Sequence, residues 1–193
     1  MRLLAFSDLH RDVERARSLV ERSADVDVVI GAGDFASVHR GLESTIDELA
    51  EIRTPTLVVP GNNETDDALR SACEDWPAAT VLHGDGVELD GQLFFGLGAG
   101  VPVTPWDWSF DLTEEEAEEK LADCPEAAFL VLHSPPKGHL DDDLGSEAIL
   151  RTIERTRPPV AVCGHVHQCW GGESAIGDTR VLNLGPDGVV IEI

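Results

Sequence analysis

The chain has 193 residues, 42% of them hydrophobic, and this length and composition predict a single globular domain, residues 1–193, with a well-buried core. Its 37 Asp and Glu against 14 Lys and Arg give a formal net charge of -23, which excludes a dedicated binder of the DNA or RNA backbone because such proteins carry a basic stripe. No apolar run approaches the roughly 18 residues needed to span a bilayer, and the N-terminus lacks a basic region, so we expect no signal peptide, no membrane partner and a cytoplasmic location.

The cations are almost all arginines, since only Lys120 and Lys137 are lysines. An acidic, lysine-poor composition resembles that of proteins from extreme halophiles and predicts a halophilic, archaeal protein. In molar salt the screening length falls to about 3 Å, which largely removes the self-repulsion of such a surface. The alternative is an acidic mesophilic protein.

Four cysteines, Cys73, Cys124, Cys163 and Cys169, have no C-x-x-C spacing. In a cytosolic chain we expect them to be unpaired small hydrophobic residues.

Strands and helices alternate through the first sixty residues. Apolar runs at 3–6, 27–30 and 56–59 are typical of strands buried on both faces. Between them, apolar residues at helical spacing predict helices over 12–23 and 41–52. Short crossovers of this kind join parallel strands, so a parallel sheet is expected here.

From residue 79 the predicted elements become shorter. Three apolar runs, at 80–82, 87–89 and 93–97, are separated by Gly-Asp-Gly and Asp-Gly, which are hairpin turn signals. The stretch 98–111 has no periodic pattern but contains Trp106 and Trp108. A loop of this length is usually functional, as a lid or a docking patch, although the aromatic rings could equally pack on a sheet edge.

The last third of the chain returns to the longer pattern. The Glu-rich stretch 112–123 predicts a helix with a solvated face, and Ser146 can cap a helix that Pro158 and Pro159 end. Buried strands are expected near 129–132 and 159–163, and two more near 180–184 and 188–193. Ten or so strands with four or five helices predict an α/β fold of two stacked sheets flanked by helices.

Five of the apolar runs are followed at once by polar residues that can bind a metal ion. Ligands gather beyond the carboxyl ends of strands in open α/β sheets, so these side chains should meet at one edge. Acid and imidazole ligands together suit a borderline-hard ion, and seven candidates are enough for two ions. The candidates are Asp8, His10, Asp34, Asn62, His133, His165 and His167.

The chemistry of this set favours phosphoryl transfer. A carboxylate such as Asp34 can bridge two ions, whereas an imidazole cannot. Two divalent ions against Asp8 and Asp34 leave a formal +2, which attracts phosphate to a protein of strongly negative charge. Ligands that are all N or O favour Mn²⁺ or Fe²⁺, with Zn²⁺ or Ni²⁺ also compatible.

Five motifs follow one another along the chain: Asp8-Leu9-His10, Gly33-Asp34, Gly61-Asn62-Asn63-Glu64, His133 and Gly164-His165-Val166-His167. This ordered set resembles that of the calcineurin-like metallophosphoesterase family. The resemblance spans residues 8–167 and implies a four-layer αββα sandwich, with two mixed sheets, around a dimetal site. It also implies that Asp8, His10 and His167 hold one ion. Asn62, His133 and His165 would hold the other, with Asp34 as the bridge.

The chain departs from the fuller family pattern at two positions. Asn63 stands where many members have a histidine, and Ser37 stands where many have the acid that orients this histidine. An amide cannot donate a proton at a useful pKa, so the general-acid contribution of about 10²–10⁴ is absent or comes from another residue. His139, on a Pro/Gly-rich loop, is a candidate to face the pocket. Small bacterial and archaeal members with a substituted histidine resemble phosphodiesterases, and this chain is similar to them in size.

We therefore expect a dimetal-dependent phosphodiesterase in which a metal-bridging hydroxide attacks a small phosphate-ester substrate. The residues expected to carry catalysis are Asp34, Asn62, Asn63 and His133. A phosphomonoesterase, a nucleotide pyrophosphatase and a catalytically weak metal-binding scaffold are the alternatives. The sequence is also compatible with a homo-oligomer.

Overall fold

The apolar runs form strands and the periodic segments form helices in a computed structural model that describes residues 1–193. The helices are α1 (Val13–Ser23), α2 (Leu42–Leu49), α3 (Asp66–Ala72), α4 (Glu114–Leu121) and α5 (Glu147–Thr156). The strands are β1 (Arg2–Phe6), β2 (Val28–Gly31), β3 (Thr56–Val58), β4 (Ala79–Val81), β5 (Asp85–Leu89), β6 (Gln92–Leu97), β7 (Phe129–Leu132), β8 (Val160–Cys163), β9 (Glu173–Ile176), β10 (Thr179–Asn183) and β11 (Val189–Glu192).

The strands form two mixed sheets. The first has the order β11-β1-β2-β3-β4, in which β1 to β4 run parallel and β11 is antiparallel to β1. The second has the order β5-β6-β7-β8-β10-β9, with parallel neighbours in the middle and an antiparallel strand at each edge. The predicted parallel strands of the first sixty residues are confirmed.

Three apolar cores divide the molecule into four layers. One core lies between the two sheets, a second joins the first sheet to α1, α2 and α3, and a third joins the second sheet to α4 and α5. The two faces of each sheet therefore both contact apolar side chains. The predicted αββα sandwich of two mixed sheets flanked by helices is confirmed.

The alternation of side chains in β1 shows why its sequence is continuously apolar. Leu3 and Ala5 face the core between the sheets, whereas Leu4 and Phe6 face the helices. Successive residues of a strand point to opposite faces, so a strand buried on both faces has no polar position.

Polar residues that begin the helices act as predicted. Asp12 caps α1 by accepting a hydrogen bond from the Arg15 N–H, and Ser146 caps α5 through the Ile149 N–H. A side chain that binds a free N–H in the first turn typically stabilises a helix by about 1 kcal/mol.

The hairpin predicted between residues 82 and 87 is wrong. Strand β4 pairs in parallel with β3 in the first sheet, while β5 belongs to the second sheet and pairs with β6. The intervening segment crosses between the sheets, and it buries Leu82 in the core between them. The Asp90-Gly91 turn does form the predicted hairpin, with positive φ at both residues, as a two-residue type I′ turn requires.

Strand β9 is not evident from the sequence pattern, because its burial alternates and it contains few apolar residues. The predicted solvated face of α4 is present, and only Glu114 among its glutamates is half-buried. The Glu114 carboxylate accepts hydrogen bonds from the N–H groups of Glu147 and Ala148, and thereby caps the neighbouring α5.

The four cysteines are free, and three of them are buried. None of the helices has the length and apolar character that crossing a membrane requires.

Candidate metal centre

All seven candidate ligands lie at one edge of the sandwich, just beyond the carboxyl ends of five strands. The first sheet supplies Asp8 and His10 after β1, Asp34 after β2 and Asn62 after β3. The second sheet supplies His133 after β7, and His165 and His167 after β8. The site is therefore assembled from both sheets.

The backbone at several of these positions is left-handed. The φ angles of Asp8, His10, Asp34 and His165 are 56°, 46°, 59° and 66°. This region is uncommon for residues other than glycine, and such conformations cluster at functional sites. Close packing also explains why residue 61 is a glycine, because an added Cβ would lie 2.0 Å from Asp34 Oδ1.

Asp8, His10 and His167 form the first group. Their ligand atoms all lie within 4.8 Å of one another. The Nε2 atoms of His10 and His167 are 3.0 Å apart, and Asp8 Oδ1 lies 3.8 Å from His167 Nε2. Two imidazole nitrogens that face each other beside a carboxylate suit a cation between them.

Asn62, His133 and His165 form the second group. The Asn62 side-chain oxygen lies 3.2 Å from His133 Nε2 and 3.1 Å from His165 Nδ1. One oxygen and two ring nitrogens thus converge, and all three atoms can bind a divalent ion.

Asp34 lies between the two groups. Its Oδ2 is 3.6 Å from His10 Nε2, and its Oδ1 is 3.6 Å from His133 Nε2. Each group is therefore approached by one oxygen of the same carboxylate. The ligand atoms of Asp8, Asp34 and His133 also lie within 4.8 Å of one another, which makes the two groups contiguous.

Neighbouring groups hold these ligands in orientation. His133 Nδ1 is 2.9 Å from the Ala32 carbonyl oxygen, and His10 Nδ1 is 3.2 Å from that of Ala36. When Nδ1 donates to a carbonyl, the ring is fixed in the tautomer that leaves Nε2 free as a ligand. The Trp170 indole N–H donates to Asp8 Oδ2 at 3.2 Å.

The protonation states favour metal binding. Burial, followed by the nearby charge of His133, lowers the pKa of His165 to about 3, which keeps this imidazole neutral at pH 7. Burial, and then repulsion from Asp8, raise the pKa of Asp34. A cation beside Asp8 and Asp34 would offset the repulsion between these two carboxylates, and it would further favour the neutral imidazole of His165.

Glu64 is a site residue to which sequence reasoning assigned no role, although it belongs to the Gly-Asn-Asn-Glu motif. It is 1% exposed, and its carboxylate accepts four backbone N–H groups, from Asp34, Phe35, Ala36 and Gly61. Burial, and then repulsion from Asp34, raise its pKa. Glu64 thus ties the loop after β2 to the loop after β3. An acid close after an apolar strand end, with no cation nearby in sequence, is the signal that could have found it.

Asn63 lies beside the candidate ligands, and both the NH₂ group and the oxygen of its side-chain amide are hydrogen-bonded. Its Nδ2 donates to Asp34 Oδ2 at 2.7 Å, its backbone N–H donates to Asp34 Oδ1 at 2.9 Å, and its Oδ1 accepts from the Val38 N–H at 2.8 Å. This amide orients the carboxylate of Asp34. His139, a candidate to face the pocket, does not line the cleft. Its Nδ1 lies 2.9 Å from Ser174 Oγ.

A cleft of about 530 Å³ opens over these residues. Five of the seven candidate ligands line it, whereas Asp8 and His133 lie beneath and are almost completely buried. No lysine or arginine lines the cleft. The remaining walls include Ser37, Asn63, Trp106, Trp108 and Leu144.

The chain is similar to proteins of a known superfamily. A model of the calcineurin-like phosphoesterase superfamily domain matches residues 1–189. The chain is 29% identical, over 95% of its length, to UPF0046 protein K07C11.7 of Caenorhabditis elegans, of which it covers 69%. It is 32% identical, over 75% of its length, to the 3′,5′-cyclic adenosine monophosphate phosphodiesterase CpdA of Escherichia coli (strain K12). The match covers 55% of CpdA, or about half of that protein.

Solved structures share the fold at low sequence identity. The protein TT1561 of Thermus thermophilus has a TM-score of 0.77 at 19% identity, with 96% of this chain and 90% of that chain covered. A dimetal phosphatase from Danio rerio has a TM-score of 0.67 at 14% identity, with 96% and 88% covered.

Proposed function

This chain belongs to the calcineurin-like phosphoesterase superfamily, and we propose that it is a dimetal-dependent phosphodiesterase acting on a small phosphate ester. The observation that carries the proposal is the position of Asp34, with one carboxylate oxygen 3.6 Å from a histidine of each ligand group. The similarity to CpdA, which is a cyclic adenosine monophosphate phosphodiesterase, supports the same reaction class.

The donor atoms fit two divalent ions. Asp8, His10 and His167 would hold one ion, and Asn62, His133 and His165 the other, with Asp34 shared. Bound there, the ions would lower the pKa of a water molecule and stabilise charge on the phosphoryl oxygens. The donors are all N or O, which favours Mn²⁺ or Fe²⁺.

Residues around the candidate ligands orient the ligand side chains. Asn63 and the backbone around it direct both Asp34 oxygens, and Glu64 fixes the loops that carry Asp34 and Asn62. Positioning of this kind lowers the barrier because the reacting groups need little rearrangement.

Charge supports a diester over a monoester. A phosphodiester carries one negative charge at pH 7, whereas a monoester carries up to two. The cleft has no lysine or arginine for the second charge, and Asp34 and Glu64 are buried close by. The metal ions are the only cations that this site would offer.

The test compares two activated esters on protein loaded separately with Mn²⁺, Fe²⁺ or Zn²⁺. We expect kcat/KM for bis(p-nitrophenyl) phosphate to exceed that for p-nitrophenyl phosphate at least tenfold, and chelation to abolish both activities. The reverse preference would indicate a phosphomonoesterase. Two bound ions without hydrolysis of either ester would indicate a scaffold.

A further inference from the structure

The loop over residues 98–111 is anchored beside the candidate metal centre. Its Asp111 carboxylate accepts hydrogen bonds from the Thr104 N–H and hydroxyl, both at 2.7 Å, and from the Ser109 hydroxyl at 2.6 Å. Ser109 Oγ in turn accepts from Asn62 Nδ2 at 2.9 Å, and the Phe110 N–H donates to the Asn62 carbonyl oxygen at 2.9 Å. This loop, hydrogen-bonded to a candidate ligand, forms one wall of the cleft.

Two tryptophans of this wall face the cleft as a stacked pair. The rings of Trp106 and Trp108 have centroids 5.8 Å apart and an interplanar angle of 11°. The Trp108 carbonyl oxygen lies within hydrogen-bonding distance of His39 Nε2, which joins the wall to the loop after Asp34. Trp106 is 43% exposed although Trp108 covers one side of its ring.

An exposed tryptophan ring, Trp106, stacked on a half-buried one, Trp108, offers an aromatic surface beside the metal centre. Stacking of a planar ring on an aromatic side chain needs no charge and tolerates any base, because every base has a π-face. The cleft has no lysine or arginine, and its largest apolar side chains are Trp106 and Trp108, which can make such contacts with the part of a substrate remote from phosphorus.

We infer that Trp106 and Trp108 form a subsite that stacks a planar aromatic group of the phosphodiester, of nucleobase type. The inference rests on the proposed phosphodiesterase function. The substrate class that it names is a nucleoside phosphodiester with a single charged phosphate. The phosphate would lie at the metal centre and the base on Trp106.

The kinetic test uses two esters with the same leaving group. Methyl p-nitrophenyl phosphate and thymidine 5′-(p-nitrophenyl phosphate) both release p-nitrophenol, but only the second carries a base. We expect the metal-loaded protein to hydrolyse the thymidine ester with at least tenfold higher kcat/KM, mainly through a lower KM.

Three variants separate stacking from general apolar contact. Trp106→Leu should reduce kcat/KM for the thymidine ester about tenfold, in the range that alanine substitution of stacking residues gives, and should reduce it clearly less for the methyl ester, so that the preference for the thymidine ester is lost. Trp106→Phe, which keeps a planar ring, should retain most of the preference. Val103→Ala is the matched control, because Val103 lies on the same loop, is 59% exposed and does not line the cleft.

A binding measurement gives a readout independent of turnover. Thymidine 5′-monophosphate should quench the tryptophan fluorescence of the wild type, ribose 5-phosphate should not, and Trp106→Leu should lose most of the quenching. Equal kcat/KM for the two esters without quenching would overturn the subsite while the phosphodiesterase function stands. Quenching without hydrolysis of either ester would support the subsite and overturn the function.

Discussion

Single buried side chains hold the candidate centre in place, and Glu64 is the clearest case. Its two oxygens accept four backbone N–H groups from two loops that carry candidate ligands. No lysine or arginine pairs with it, so its role is to satisfy donors that would otherwise be buried without partners.

Glu64→Gln tests this role with almost no change in volume. An amide presents only one acceptor oxygen, and its NH₂ group would face backbone N–H donors. We expect the free energy of unfolding to fall by about 2–3 kcal/mol, since buried backbone N–H groups would be left without an acceptor. Chemical denaturation measures the change. The exposed Glu51→Gln should alter stability by less than about 0.5 kcal/mol, and an equally small effect at Glu64 would contradict the assigned role.

Asn63 bears on the prediction of how a leaving group would depart. Its amide is bonded to Asp34 and Val38, and it has no proton to donate at a useful pKa. His139 is bonded to Ser174 away from the cleft. The histidines that do line the cleft belong to the candidate ligand groups.

The rate of the chemical step should therefore depend steeply on the pKa of the leaving group. Aryl diesters that release nitrophenol should react well, and alkyl diesters far more slowly, because nothing offsets the charge on the departing oxygen. A series of aryl methyl phosphates measures the slope. Asn63→His with Ser37→Asp should flatten it, and a flat slope in the wild type under conditions where chemistry limits the rate would mean that another acid is present.

At the scale of elements, helix α5 depends on groups from two parts of the chain. Ser146 caps it locally, and Glu114 at the start of α4 accepts hydrogen bonds from the Ser146 hydroxyl and from the N–H groups of Glu147 and Ala148. A carboxylate at a helix N-terminus also interacts favourably with the helix dipole.

Glu114→Gln should lower the free energy of unfolding by about 1–2 kcal/mol, since a charged cap is replaced by a neutral one with fewer acceptors. Thermal or urea unfolding measures the change. Glu115→Gln is the control, because this neighbour is exposed and caps nothing. Equal changes at the two positions would show that α5 does not depend on Glu114.

The elements also show what can be predicted from sequence. Strands β1, β2, β3, β7 and β8 are evident because their apolar runs are buried on both faces, and the candidate ligands follow each of them directly. The Gly84-Asp85-Gly86 turn is misleading, because turn residues do not reveal which sheet the next strand joins. Strand β9 has only half-buried or exposed positions, and the roles of Glu64 and Glu114 depend on contacts across about 30 residues.

The whole molecule carries a formal net charge of -23. The prediction of a halophilic protein follows from it. Repulsion among surface carboxylates weakens the compact state at low ionic strength, and salt screens it.

The melting temperature should therefore rise as KCl is increased from low to molar concentration. Differential scanning fluorimetry at fixed metal concentration measures it, and sucrose of matched osmolality is the control for effects unrelated to charge. A melting temperature that is flat or falls with KCl would remove the halophilic interpretation.

We propose that Asp34 is shared by two metal ions, and metal analysis of the loaded protein tests this. Protein equilibrated with Mn²⁺, freed of excess by gel filtration and analysed by mass spectrometry should contain about two ions per chain. Asp34→Asn should lose most of this metal together with diesterase activity, whereas the exposed Asp75→Asn should keep both. An Asp34→Asn protein that retained two ions and wild-type turnover would show that Asp34 does not bridge the ions.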